Sequence, residues 1–225
     1  MKMNDLTLII PAKSEAESLP IVLNELKEYN YKIDIVLHVT DIDTIEAIRE
    51  YNVNILYQKN LGYGDALIYG IKNCKTKYFC IFNADGSFDP SEIEQMQENL
   101  HKKQLDFIFA SRYQENSGSE DDTIITLVGN YIFTYIGKIF FKLNITDILY
   151  TFIIGKTEKA NILDLKQKDF SFCVELPIKA NKMKMKIGCF NSYERKRIAG
   201  KKKVKAFKDG FLILRHMIKL FFKKL

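Results

Sequence analysis

The chain is poor in the residues that staple, ligate or export a protein. Its four cysteines, Cys74, Cys80, Cys173 and Cys189, fall at no paired spacing. That excludes a dense disulfide framework and a thiolate metal site, and reads as free thiols in a reducing cytosol. The three histidines, His38, His101 and His216, form no ligand spacing, so none is assigned to a metal. Residues 1–5 lack a basic region leading into an apolar core of about 7–15 residues, so no export signal is expected. No run reaches the roughly 18 uncharged apolar residues of a spanning helix. These absences predict a cytoplasmic protein, with a peripheral position on the inner face of the cell membrane left open.

What is present suits one core. A chain of 225 residues fits a single large domain with an appendage better than two small domains. Hydrophobic content of 47% and charged content of 28% exclude disordered and collagen-like classes. The net charge of +6 is unevenly placed, because residues 195–208 hold eight of the 34 Lys and Arg.

Along the chain, apolar runs alternate with helical patterns. Strands are expected at 6–10, 33–39, 53–57, 78–82 and 106–110, with a short one near 187–193. Helices are expected after a capping-box pair, Ser14 and Glu17, and at 44–51, 62–73, 90–103, 156–164 and 172–181. Units of this size imply right-handed crossovers and a mainly parallel sheet. Residues 114–122 read as an acidic, mobile flap. Residues 124–143 are apolar and aromatic but interrupted by Asn130, Gly137 and Lys138, which suits an amphipathic helix packed on the domain or dipping toward lipid. At the end, Phe207, Phe211, Leu214, Ile218 and Phe221 share one helical face and Lys208, Arg215 and Lys219 another. The division expected is a domain over 1–205 and an amphipathic helix over 206–225 for an anionic membrane surface, docking on the chain's own core being the competing reading.

The most informative stretch is Tyr78-Phe79-Cys80-Ile81-Phe82-Asn83-Ala84-Asp85-Gly86, an uncharged run that stops on a carboxamide, a carboxylate and a glycine. Turn chemistry alone explains such a junction. Yet Pro11-Ala12-Lys13-Ser14-Glu15 and Thr40-Asp41-Ile42-Asp43 also follow strands. In a parallel sheet the three endings converge on the edge where ligands sit. Together they offer carboxylates for ribose hydroxyls, backbone N–H groups for phosphates and an acidic oxygen for Mg²⁺ or Mn²⁺. Gly62 and Gly64 read as a helix-entry turn beside the same substrate.

In this order the pieces resemble the family 2 glycosyltransferases of GT-A fold, within them the dolichyl-phosphate mannose synthase-like branch. Residues 9–19 resemble the I-P-A-x-N-E-x-x-x-L opening, and Asn60 to Leu67 with Gly70 resemble N-x-G-x-G-x-A-L-x-x-G. Residues 83–87 fall at D-A-D-x-Q, and Ser111-Arg112-Tyr113 at G-S-R-Y. Gly129-Asn130 and Asp147 follow the G-N and D-x-x-S-G-F spacing, while Arg197, Gly200 and Lys203 reproduce R-x-x-G-x-x-K. The ordered set spans almost the whole chain and is more specific than any one motif. Departures are Asn83 for the first Asp of D-x-D, Ser87 for Gln, Tyr150-Thr151 for Ser-Gly, Lys13 for Asn, and a second strand end without the usual paired Asp.

The resemblance implies an α/β protein with a Rossmann-like, mainly parallel sheet flanked by helices and a C-terminal amphipathic helix. It implies inverting transfer of a hexose from a UDP- or GDP-sugar to a polyprenyl phosphate or related acceptor. Pro11, Ala12, Glu15, Asp41, Gly64, Asn83, Ala84 and Asp85 would then hold the donor, with Asp85 the ligand of Mg²⁺ or Mn²⁺. Arg112, Arg197 and Lys203 would hold the phosphates. Asp147 would orient sugar or acceptor, or act as general base toward a hydroxyl acceptor. Asn83 and the altered Asp147 loop leave a second reading, a catalytically silent GT-A-fold protein docked at the membrane. Nucleic acid is not an expected partner, because the basic run adjoins an apolar amphipathic segment and carries no reading motif.

Overall fold

Leu6, Leu8, Ile9 and Ile10 are fully buried on both faces of a strand, as a run of aliphatic residues without charges requires. This strand, β1 (Leu6–Pro11), lies parallel to β2 (Lys32–His38), β3 (Asn54–Gln58) and β4 (Tyr78–Ile81), joined through α1 (Leu19–Leu26), α2 (Ile42–Ala47) and α3 (Tyr63–Asn73). The computed structural model describes residues 5–200 and 202–223. Residues 1–4 of the expected leaderless start, Lys201 of the basic run and the last two residues of the C-terminal segment lie outside the described residues.

The chain continues through α4 (Glu92–Lys102), β5 (Phe107–Ser111), β6 (Gly118–Ser119), α5 (Ile124–Phe141), β7 (Ile153–Lys156), α6 (Thr157–Ile162), α7 (Phe172–Lys182), β8 (Ile187–Asn191), β9 (Tyr193–Glu194) and α8 (Ala206–Phe222). The main sheet has the order β3-β2-β1-β4-β7-β5-β8, with β7 antiparallel to both neighbours. Side chains alternate across it. Ile9, Phe79, Phe107 and Phe109 pack beneath α3, α6 and α7, whereas Leu8, Ile10, Cys80, Phe82 and Ile108 pack beneath α1 and α4. Phe82, Phe88 and Phe152 stack within 5.7 Å of one another under the end of β4. Such pairs contribute about 0.5–1.5 kcal/mol each beyond their buried area, a rigid floor for what lies above.

Four sequence expectations change. The first helix starts at Leu19 and not after Ser14, with Pro20 in its first turn. Ser14 instead adopts a left-handed φ of 53° and Ser18 Oγ donates to Glu15 at 2.8 Å, so Ser14, Glu15 and Ser18 shape a loop and no capping box forms. The β7 strand had no counterpart among the expected elements. The acidic loop is pinned, since β6 pairs with β9 and Glu120 N donates to Glu194 O at 2.9 Å. Finally, α5 is long and apolar enough, by length and composition, to cross a membrane.

Its packing qualifies that last point. Asn130, Thr134, Gly137 and Phe141 turn inward at helical spacing, with Ile148 N bonded to Thr134 Oγ1 at 3.2 Å. Gly137 is close enough to the 143–148 loop that an added Cβ would stand 3.0 Å from Ile148 Cδ1. The outer face of α5 exposes Ile125, Val128, Ile132, Tyr135, Ile139 and Phe140. Beside it, α8 buries Ile213, His216, Met217 and Leu220 and exposes Phe207, Phe211, Ile218 and Phe222. Phe221 meets Phe140 edge-on at 5.7 Å. Lys182 from α7 donates to the Leu220 and Lys223 carbonyls, capping the end of α8. One face of α8 is thus core, and its apolar neighbour looks outward beside that of α5.

Candidate active site

The three strand ends do meet. Beyond β1, Ala12 N donates to Val36 O at 2.9 Å. Ser14 N donates to Asp41 Oδ2 at 2.7 Å, Thr44 Oγ1 donates to Asp41 Oδ1 at 2.9 Å, and Glu15 N donates to Thr44 Oγ1 at 3.0 Å. Asp41 therefore ties the β1 and β2 loops together while its half-buried carboxylate lines the cleft. Glu15 is buried and holds the Lys203 ammonium at 2.5 Å.

At the end of β4, Asn83 Nδ2 donates to Ser87 Oγ at 3.3 Å and Ser87 N to Asp85 Oδ1 at 3.1 Å. That leaves Asp85 Oδ2 facing Arg197, 3.3 Å from its guanidinium. The C-terminal tail runs directly over this turn, with Arg195 N bonded to Ser87 O and Ile198 N to Asp85 O, both at 2.8 Å. Gly86, at φ 79°, has no room for a side chain because an added Cβ would lie 2.3 Å from Ile198 Cδ1. The tail, through Ile198, packs directly against Gly86.

Arg197 also reaches across to the pinned loop, donating to both oxygens of Asp121 at 3.2 and 2.8 Å. Lys202 lies 3.3 Å from the same carboxylate. Burial pushes the Asp121 carboxyl up, but the Arg197 hydrogen bonds and the two cations outweigh it and hold the group below the usual carboxylate range.

A second arginine network lies behind. Arg112 donates from Nε to Asp147 Oδ2 at 2.7 Å, from Nη2 to Asp147 Oδ1 at 3.1 Å and from Nη1 to Glu194 Oε2 at 2.9 Å. Asn130 also donates to Asp147. The Arg112 guanidinium sits 4.5 Å from the centre of the Tyr150 ring. Burial opposes the charge of Arg112, yet Asp147 raises its pKa well above the ordinary value, while burial raises that of Glu194. Two expected residues change role here. Asp147 is 1% exposed, is not among the residues lining the cleft, and holds Arg112 and Asn130. Gly64 faces backbone, where an added Cβ would lie 2.1 Å from Gln167 O, so its smallness serves packing.

The resulting cleft has a volume of about 540 Å³ and takes in Pro11, Ala12, Asn83 and Ala84 as well as the charged groups above. Sequence reasoning did not single out Asp121, Asp122, Glu194, Lys202 or Tyr63, which also line it. The signal for the first two was the acidic end of the flap, read as a loop property. Tyr63 Oη is 2.6 Å from Thr151 Oγ1 and its ring stacks on Phe170 at 5.1 Å, a semi-apolar wall. Cys173 borders the cleft with its thiol pushed up to about 12 by burial, so it is protonated at neutral pH. The lining carries six carboxylates and five cationic side chains, Lys13 among them. An anionic ligand entering here meets a slight excess of negative charge.

Comparisons with known proteins bear on the family and the fold. The profile described as Glycosyl transferase family 2 matches residues 7–162. An uncharacterized protein of Methanocaldococcus jannaschii is 25% identical over 192 residues, 82% of this chain and 79% of that protein. A UDP-N-acetylglucosamine–dolichyl-phosphate N-acetylglucosaminyltransferase of Methanococcus voltae is 24% identical over 205 residues, 80% of this chain and 82% of that protein. Among solved structures, glucosyl-3-phosphoglycerate synthase from Mycobacterium tuberculosis, in complex with Mn²⁺, UDP and glucosyl-3-phosphoglycerate, superposes with a TM-score of 0.73 at 10% identity, over 96% of this chain and 78% of that one. Mannosyl-3-phosphoglycerate synthase from Rubrobacter xylanophilus gives 0.69 at 13% identity, over 96% and 72%.

Proposed function

The chain belongs to glycosyl transferase family 2, and from that premise we propose that it moves a hexose from a UDP- or GDP-sugar to the phosphate of a polyprenyl lipid while seated on the inner face of the cell membrane. The observation that carries the reading is the adjacency of two surfaces. Thr126 and Asn130 on α5 line the same cleft as Glu15, Asp41 and Asp85. The outer face of that helix, with its neighbour on α8, is exposed and apolar. Lys208, Arg215 and Lys219 flank it, exposed, and each adds about 1 kcal/mol at an anionic surface. An acceptor phosphate lying at the headgroup level would enter beside Thr126 with its chain left in the bilayer. The likeness to the dolichyl-phosphate enzyme of Methanococcus voltae supports the lipid class.

A Mg²⁺ or Mn²⁺ ion fits the residues present. Asp85 offers one carboxylate oxygen toward the cleft, the donor set is oxygen, and the excess of acidic side chains leaves a diphosphate in need of a cation. When bound, the ion supplies Lewis-acid charge on the leaving diphosphate. The chain's own groups do the rest. Arg197 turns from carboxylates to diphosphate as a bidentate donor, and Lys203 is a point charge 2.5 Å from Glu15 that shifts to the acceptor phosphate. Arg112 presents a fixed positive edge held by Asp147 and Glu194. A phosphate oxygen is already a nucleophile, which accords with Asp147 being buried and spent on Arg112. Residues 195–198 fold over the β4 turn, where they would help keep water from the reacting carbon.

Transfer of labelled sugar from UDP- and GDP-hexoses and N-acetylhexosamines to polyprenyl phosphate in vesicles, with and without Mn²⁺, tests this. Metal-dependent label in the lipid phase is the expected result. A folded protein that neither binds nor consumes any of these donors overturns it in favour of the silent membrane-docked reading.

A further inference from the structure

The β4 turn carries one carboxylate, Asp85, where the family pattern has two, because position 83 is Asn. The Asn83 amide is engaged with Ser87 Oγ at 3.3 Å. A hard divalent ion held by a single protein oxygen would depend almost wholly on the nucleotide. Another carboxylate stands across the cleft. Asp121, on the loop between β6 and α5, shares one guanidinium with Asp85, since Arg197 contacts Asp85 Oδ2 at 3.3 Å and Asp121 Oδ2 at 2.8 Å. Both acids therefore contact the same guanidinium, one from the β4 turn and one from the β6–α5 loop, with 13% and 10% of their side chains exposed.

We propose that Asp121 supplies the second carboxylate for the divalent cation, in compensation for Asn83, and that Arg197 holds Asp85 and Asp121 together until ion and diphosphate replace it. The inference rests on the nucleotide-sugar reading given above. Asp121 is suited to the part by position and by charge. Its backbone is fixed, with Asp121 N bonded to Ser119 Oγ at 3.1 Å next to the β6–β9 bridge. Its carboxylate already sits between two positive side chains, Arg197 and Lys202, a surrounding of about the charge a divalent ion brings. Lys202 also bonds the Asp121 carbonyl, so the loop keeps an anchor when Arg197 leaves. Asp122 is not equivalent, because Tyr113, Thr126 and Arg112 all take its oxygens.

Mn²⁺ uptake, read from the electron paramagnetic resonance of the free ion with and without UDP or GDP, separates the possibilities without reference to turnover. Asp121→Asn should weaken uptake with nucleotide on the order of tenfold or more, as should Asp85→Asn, whereas Glu120→Gln should leave it unchanged. Arg197→Gln should tighten uptake without nucleotide, since it removes the competing cation. The decisive variant is Asn83→Asp placed in Asp121→Asn. A restored carboxylate on β4 should raise binding more in the Asp121→Asn background than in the wild type if Asp121 acts as a ligand, and by the same factor in both if Asp121 only fastens the loop. Melting temperatures measured without metal check that each variant is folded. Asp121→Asn matching the wild type while Asp85→Asn falls overturns the inference and leaves the donor reading standing. Wild-type protein that takes up no Mn²⁺ with either nucleotide overturns both.

Discussion

Arg112 and Arg197 each match a family motif in the sequence, but the fold treats them differently. Arg112 is 9% exposed and held by Asp147 and Glu194, whose side chains are 0% and 9% exposed. Arg197 is 18% exposed and bridges two acids that both face the cleft. One arginine is locked into a buried network that was costly to desolvate, so it can do no more than present a fixed edge. The other sits in a pairing that an incoming ion and diphosphate can replace. Position within the network, not residue type, separates strut from ligand.

The largest expected effect breaks the strut. Arg112→Ala leaves Asp147 and Glu194 buried without a partner, and should lower stability by roughly 3–5 kcal/mol in chemical denaturation. Arg197→Ala should cost less, because Lys202 stays on Asp121 and Asp85 keeps the hydrogen bond from Ser87 N. Equal losses for the two would end the distinction. Activity should reverse the order among proteins that still fold. Arg197→Ala should reduce kcat/KM on the order of 10²–10³-fold, the cost of removing a group aimed at developing charge, while its melting curve stays near that of the wild type.

The two networks also differ in what the sequence disclosed. Glu15, Asp41 and Asp85 are legible as one site because strand ends of a parallel sheet must share an edge, whereas Arg197 and Lys203 join it only through the resemblance of the tail to R-x-x-G-x-x-K. The pairing of Arg197 with Asp121 spans 76 positions, and no local pattern encodes it. Asp147 was taken for a ligand-facing group since its partner Arg112, 35 positions away, brings it inside only once β5 and the 146–151 segment are side by side. Strand β7 was missed for a related reason. It has four residues, and its Gly155 reads as a breaker, yet an added Cβ there would lie 2.4 Å from Phe107 and 2.9 Å from Phe79. The glycine is what lets two phenylalanines of neighbouring strands close over it, a fact about β4 and β5 and not about residues 153–156. Of the four parallel strands on the other side, β1 and β4 are legible as runs buried on both faces, and β2 and β3 through their alternation with helices.

A third contrast sets the inner faces of α5 and α8 against their outer faces. Phe211→Asp with Ile132→Asp should lower partition into vesicles by roughly tenfold or more, since each buried apolar side chain contributes about 1.5–3 kcal/mol. Replacing Lys208, Arg215 and Lys219 by Gln should weaken partition by about 1 kcal/mol each, and only on anionic vesicles. Co-sedimentation with neutral and anionic vesicles reads both. Binding that is indifferent to the aspartates would assign these faces to something other than lipid.

The smallest effect concerns the inner face of α8. His216 is 8% exposed, its Nε2 has no partner among the described residues, and burial lowers its pKa below the ordinary 6.5. Glu175 acts against that shift and Lys179 with it, while Asp169 and Lys219 add weaker opposing influences. The unfolded chain therefore takes up this proton before the native one does. The contribution of His216 to stability is complete above about pH 6.5, is lost progressively as the pH falls from there to the lowered native pKa, and is level below it. The buried carboxyls with raised pKa, Glu92 and Glu194, act in the opposite sense, but they are common to wild type and variant. His216→Phe should reduce the acid-side decline between pH 6.5 and the native pKa in thermal melts, leaving the share from His101, whose pKa burial also lowers. A decline that persists unchanged in the variant would place the titrating group elsewhere and leave α8 docked by its aliphatic contacts alone.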